Sequence, residues 1–134
     1  MLMIMDIVFY IILSHWVADF LFQSRWMAVE KCSNIKALIS HVAIYTITMA
    51  IMLSSANIFN NDNKLSLFLF WIIINGLLHF ATDFCTSKIT KRLYVLDNKH
   101  LFFAMIGFDQ VIHYGCLLYT YALIFEYHIT PYTH

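Results

Sequence analysis

Four stretches of this chain, residues 4–24, 37–57, 65–85 and 101–125, are each apolar over close to twenty residues. An α-helix needs about that length to cross a hydrocarbon core of roughly 30 Å. Of the 134 residues, 61% are hydrophobic and only 12% are charged, against roughly 45–50% and 25% in an average soluble domain. Too few charges remain to cover a water-facing surface, and the mean hydropathy of +0.71 agrees. The stretches lack the ~10-residue alternation of membrane barrel strands. The expected fold is therefore all-α: a single membrane domain over residues 1–134, built as a four-helix transmembrane bundle with short loops. Its first partner is the lipid bilayer. Eight basic residues balance eight acidic ones, so no net field attracts a nucleic acid.

The charges lie between the apolar stretches. Arg25, Lys31 and Lys36 fall between the first and second, and Lys88, Lys91, Arg92 and Lys99 between the third and fourth. Because short Lys/Arg-rich loops stay cytoplasmic, both termini and Asn61 are expected on the non-cytoplasmic side. Met1–Asp6 has no basic residue ahead of the apolar run, so the first stretch is expected to stay in the mature chain. Cys32, Cys85 and Cys116 are odd in number and lack CxxC spacing, which argues against a disulfide scaffold or zinc ribbon. Cys85 and Cys116 read as small buried hydrophobes, and Trp26, Trp71 and Tyr94 as interfacial aromatics.

Seven polar residues interrupt the apolar stretches: His15, Asp19, His41, His79, Asp83, Asp109 and His113. An ionisable group at membrane depth costs at least ~2.5 kcal/mol, so each needs a partner or a purpose. Three pairs, His15/Asp19, His79/Asp83 and Asp109/His113, are spaced i,i+4, one turn apart on one helical face. Gln23 and Asn75 extend two of these faces, and Tyr45 and Thr48 give His41 a milder polar stripe. Counting inward from the cytoplasmic ends at ~1.5 Å per residue, Asp19 and His15 lie roughly 8 and 14 Å deep, His41 about 6 Å, and Asp109 and His113 roughly 12 and 18 Å. All seven can meet in one layer of the cytoplasmic half.

Four imidazoles and three carboxylates meeting inside a bundle suit one or two divalent metals such as zinc or manganese. Paired metals are typical of hydrolytic sites. The reading is a metal-dependent hydrolase acting from the cytoplasmic side on a lipid-linked or amphiphilic phosphoester or amide, with Asp109 or Asp83 as base. Lys88, about one turn past Asp83, would anchor the substrate, although Lys88, Lys91 and Arg92 also read as a topology signal facing anionic lipid. The alternatives are a metal-ion or proton conduit, a structural polar network, or a small membrane interaction protein. A conduit needs polar residues on the far side, whereas residues 67–74 and 117–125 are mostly apolar.

The residues His15-Trp-Val-Ala-Asp19-Phe20-Leu-Phe-Gln23 with Trp26, Met27 and Lys31, then His41, then His79-Phe-Ala-Thr-Asp83 with Lys88, then Asp109-Gln110-Val-Ile-His113 resemble domain-of-unknown-function family 3307. The resemblance covers nearly the whole chain. It implies a small multi-pass membrane protein of bacteria or their phages, placed in the inner membrane, with His15, Asp19, Gln23, His41, His79, Asp83, Lys88, Asp109, Gln110 and His113 as its polar signature. It implies no activity. A looser similarity, to inner-membrane proteins described as metal-dependent hydrolases, points toward the enzyme reading.

Overall fold

The computed structural model describes residues 4–55 and 64–126. Among these lie five α-helices: α1 (Ile4–Trp16), α2 (Arg25–Glu30), α3 (Ile35–Ser55), α4 (Leu65–Val95) and α5 (Lys99–Tyr121). A π-helical turn, Val17–Leu21, continues α1, and another, Ala122–Glu126, continues α5. Asn61 and the tail from Tyr127 lie outside the described residues.

Polar side chains mark where the helices begin. Ser24 Oγ accepts from the Met27 amide at 3.3 Å and starts α2. Asn34 Oδ1 accepts from the Lys36 amide at 3.0 Å ahead of α3. Asn98 Oδ1 accepts from the Leu101 amide at 3.1 Å and starts α5. Each satisfies a donor that the first helical turn leaves without a backbone partner. Between α4 and α5 the chain reverses over Leu96, Asp97 and Asn98. Asp97 takes a left-handed backbone conformation, φ 51°, which Asp tolerates better than most residues.

Two of the expected spans differ from the structure. Three described helices are long and apolar enough to cross a membrane, Ile35–Ser55, Leu65–Val95 and Lys99–Phe125, rather than four. The first stretch is interrupted: α1 has 13 residues and rises about 20 Å, short of the ~30 Å core. Beyond it the backbone widens, with the Phe22 amide bonding the Val17 carbonyl at 3.2 Å, and then turns into α2. The third stretch does not stop at Cys85. Its helix runs 31 residues to Val95, about 46 Å at 1.5 Å per residue, so Lys88, Lys91 and Arg92 extend α4 past bilayer thickness instead of forming a loop.

The helices pack with α4 against both α3 and α5, while α1 lies on α3 and touches α5. Large apolar side chains cover the outside, among them Phe9, Ile51, Phe70, Ile73, Val111 and Tyr119, and histidines and carboxylates fill part of the inside. That inversion suits a bundle solvated by lipid. Most of the remaining interior is an apolar plug of Ile11, Leu53, Phe68, Trp71, Leu117 and Phe125, and the polar Ser14 and Asn75 are buried as well. Trp71 is completely buried there rather than interfacial, because its indole N–H finds Thr120 Oγ1 at 2.9 Å. Cys85 is exposed and Cys116 half-buried.

Helix α4 packs closely on α3 at Gly76. A Cβ there would sit 2.7 Å from Thr46 Oγ1, and that hydroxyl is held by a 2.7 Å bond to the Val42 carbonyl. Thr46 is β-branched, so few rotamers are open to it, and moving its hydroxyl away would break that bond. Gly76→Ala should therefore cost about 1–3 kcal/mol as overpacking, and Gly76→Ala with Thr46→Ala should recover most of it in thermal melts.

Candidate metal centre

Each helix crossing the bundle delivers one part of the polar cluster. His15 ends α1 and Asp19 sits in the π-turn; His41 comes from α3, His79 and Asp83 from α4, Asp109 and His113 from α5. Six of these seven are buried, and Asp109 is half-buried. The π-turn contributes directly. Its wider backbone turns Asp19 inward while Phe20, Leu21 and Phe22 stay exposed, and such turns recur at functional sites.

Four ligand-type atoms converge on one point. His41 Nε2 lies 3.1 Å from Asp19 Oδ1, 3.1 Å from Asp83 Oδ2 and 3.0 Å from His79 Nε2. His79 Nε2 in turn lies 3.5 Å from Asp19 Oδ1 and 3.7 Å from Asp83 Oδ2. Tetrahedral bonds of 2.0–2.2 Å separate their ligand atoms by about 3.3–3.6 Å. The observed edges straddle that range, so these residues fit a divalent ion in spacing and in chemistry. Asp19 Oδ1 is buried and accepts no well-directed hydrogen bond, which is costly for a carboxylate oxygen without a cation.

Surrounding groups hold the cluster in place. The Tyr45 ring stacks on His79 at 3.8 Å between centroids, with 4° between planes. Gln23 Nε2 is 3.2 Å from His41 Nδ1. For His41 to bind metal through Nε2 that amide must turn, so that Oε1 accepts from Nδ1–H, an orientation fixed only by the hydrogen-bond network. Gln110 binds three members: its Nε2 donates to Asp19 Oδ2 at 3.0 Å and Asp109 Oδ2 at 3.2 Å, and His15 Nε2 donates to its Oε1 at 3.0 Å. Tyr45 then donates its hydroxyl to His15 Nδ1 at 3.0 Å. With both ring nitrogens engaged, His15 positions Asp19 and Gln110. Thr86 donates to Asp109 Oδ1 at 2.6 Å.

The profile of the family described as a protein of unknown function, DUF3307, matches residues 7–133, which include every residue of this cluster. The chain belongs to the DUF3307 family. No curated protein and no solved structure matches it.

Beside the DUF3307 cluster opens a cavity of about 580 Å³, with Asp19, Asp83, Asp109 and Gln110 at its polar end and Tyr94, Val95, Phe102 and Ile106 along its apolar wall. The lysine that reaches the cluster is Lys31, just beyond α2, whose Nζ donates to Asp83 Oδ2 at 2.7 Å. Lys88, the expected anchor, instead lies over the Phe84 ring, 3.3 Å from its centroid. Five residues past Asp83 is about 140° around the helix, whereas Thr86 and Thr90, at i+3 and i+7, share the Asp83 face and line the cavity. In the sequence Lys31 counts toward the loop charge and stands among the residues of the family resemblance, with no role at the cluster. Its role depends on α2 folding back, which no helical period reveals.

Proposed function

We propose that this DUF3307 protein is a metal-dependent hydrolase of the bacterial inner membrane, acting on a lipid-linked or amphiphilic phosphoester or amide reached from the cytoplasmic side. The observation that carries the reading is the convergence of Asp19 Oδ1, His41 Nε2, His79 Nε2 and Asp83 Oδ2 at ligand spacing beside an amphiphilic cavity. Those four residues would hold the ion, zinc or manganese. The chemistry a divalent ion supplies when bound is polarisation of a phosphoryl or carbonyl oxygen and a more acidic water.

The cavity supports the substrate class. Its apolar wall of Tyr94, Val95, Phe102 and Ile106 accommodates a hydrocarbon chain, and Lys31 and Lys91 stand among its lining residues as cations for an anionic group. Asp83 and Asp109 both line it, so both can touch a reacting water there. The basic residues near this end support a cytoplasmic face for it, with the termini on the other side. A conduit is disfavoured by the apolar plug around Trp71 and Leu117, which leaves the cluster a dead end.

Elemental analysis of the detergent-purified protein, alongside His79→Ala, tests the ion; hydrolysis of short-chain phosphatidate, alkyl phosphates and acyl amides with and without chelator tests the reaction. We expect a divalent metal that His79→Ala loses, and chelator-sensitive turnover of one of these substrates. Failure of the protein to retain or rebind any divalent metal overturns the metal reading. Metal without turnover of any of them overturns the hydrolase.

A further inference from the structure

We propose that the cluster holds a second divalent cation, bound by Asp83, Asp109 and His113 next to the four-residue position, with the Asp83 carboxylate bridging the two. The inference rests on the metal reading above and deepens it, because it names the position where the chemistry occurs.

Two oxygens of one carboxylate face different neighbours. Asp83 Oδ2 points to His41 Nε2 and His79 Nε2, at 3.1 and 3.7 Å, whereas Oδ1 points to His113 Nε2 at 3.9 Å. Asp109 Oδ2 lies 3.4 Å from the other nitrogen of the same ring. One ligand atom from each of Asp83, Asp109 and His113 falls within 4.8 Å of the others. The His79 and His113 rings are adjacent, 4.2 Å between centroids, so the two positions are neighbours.

His113 supplies the independent observation. Its side chain is 3% exposed, yet neither ring nitrogen makes a well-directed hydrogen bond, the Asp109 carboxylate approaching Nδ1 only to 3.4 Å. Buried imidazoles normally have at least one nitrogen satisfied, since an orphaned polar group costs about 1–3 kcal/mol. His15 on α1, whose ring centroid lies 5.3 Å from that of His113, shows the ordinary arrangement, with Tyr45 on one nitrogen and Gln110 on the other. An unsatisfied ring between two carboxylates is placed to give a lone pair to a cation.

The two positions differ in what they leave open. Asp19, His41, His79 and Asp83 present four protein ligands, which closes a tetrahedral ion. Asp83, Asp109 and His113 present three, the number that leaves a coordination position for water or substrate. Asp83 and Asp109 line the cavity, so the open position faces it. Carboxylate-bridged pairs in hydrolytic sites lie about 3.5–4 Å apart.

Manganese loading of the metal-stripped full chain tests this, read by metal content and by electron paramagnetic resonance. Wild type should bind two ions per chain with the multiline spectrum of an exchange-coupled pair. His113→Ala should bind one, with the six-line spectrum of isolated manganese, and Asp109→Asn should do the same should the histidine variant not fold. One ion per wild-type chain, with content unchanged in either variant, overturns the second site and leaves the first standing. Two uncoupled ions overturn the shared carboxylate. No ion at all overturns both this inference and the metal reading beneath it.

Discussion

Chelation should lower the melting temperature of the detergent-solubilised protein by about 10 °C, and Asp83→Asn should abolish that response. A ligand present at a hundred times its dissociation constant stabilises by about 2.7 kcal/mol, and in a chain of this size each kcal/mol moves the melting point by roughly 3–5 °C. Asp83 is the variant of choice because its two oxygens face His41 and His113, so the amide weakens both positions, while a neutral side chain is easier to bury and leaves membrane insertion intact. The pH dependence has a defined sign. Metal binding requires neutral imidazoles and ionised carboxylates, so the stabilisation is present above the histidine range and fades as pH falls through it. Wild type and Asp83→Asn melting alike, with and without chelator, would sink the metal reading and leave a hydrogen-bonded network.

Replacing Lys31 by Met should destabilise the chelated protein by about 2–3 kcal/mol and the metal-loaded protein by less than about 1 kcal/mol. The Lys31 ammonium sits 2.7 Å from Asp83 Oδ2, with 16% exposure on the lysine and 1% on the aspartate side chain. Removing one partner of a buried pair typically costs 3–5 kcal/mol because a buried charge is left alone; the partial exposure of Lys31 reduces that here. A divalent ion at the same oxygen supplies the missing positive charge. In the chelated state, Lys31→Met with Asp83→Asn should be more stable than Lys31→Met alone, since the orphaned carboxylate is gone. Melting curves of the wild type and the two variants in chelator and in saturating zinc provide the check. An equal cost of Lys31→Met in both conditions would mean that Lys31 and the ion do not share Asp83.

Local chemistry carried a large part of this reading. Apolar length announces a helix in lipid because each backbone group must bond within its own segment, and α3, α4 and α5 follow from that. The i,i+4 spacing of His79/Asp83 and Asp109/His113 sets each pair on one face, which the structure retains at 3.7 and 3.4 Å. Hydropathy misjudged the ends. It registers the disappearance of apolar residues, whereas a polar amphipathic helix continues without them, so α4 runs on to Val95. It also missed the π-turn after Trp16, because a change in backbone pitch leaves no mark on composition.

The sequence by itself determined an all-helical membrane bundle and placed seven ionisable residues in one half of it. Only the tertiary structure decided that Asp83 faces two histidine sets through different oxygens, that both nitrogens of His15 are engaged by Tyr45 and Gln110, and that Lys31 rather than Lys88 meets the cluster. Helical period and apolar length act within a few turns of the chain. Which atom points at which depends on the rotation and crossing of helices that join residues 95 or more positions apart, and on α2 folding back to carry Lys31 to Asp83.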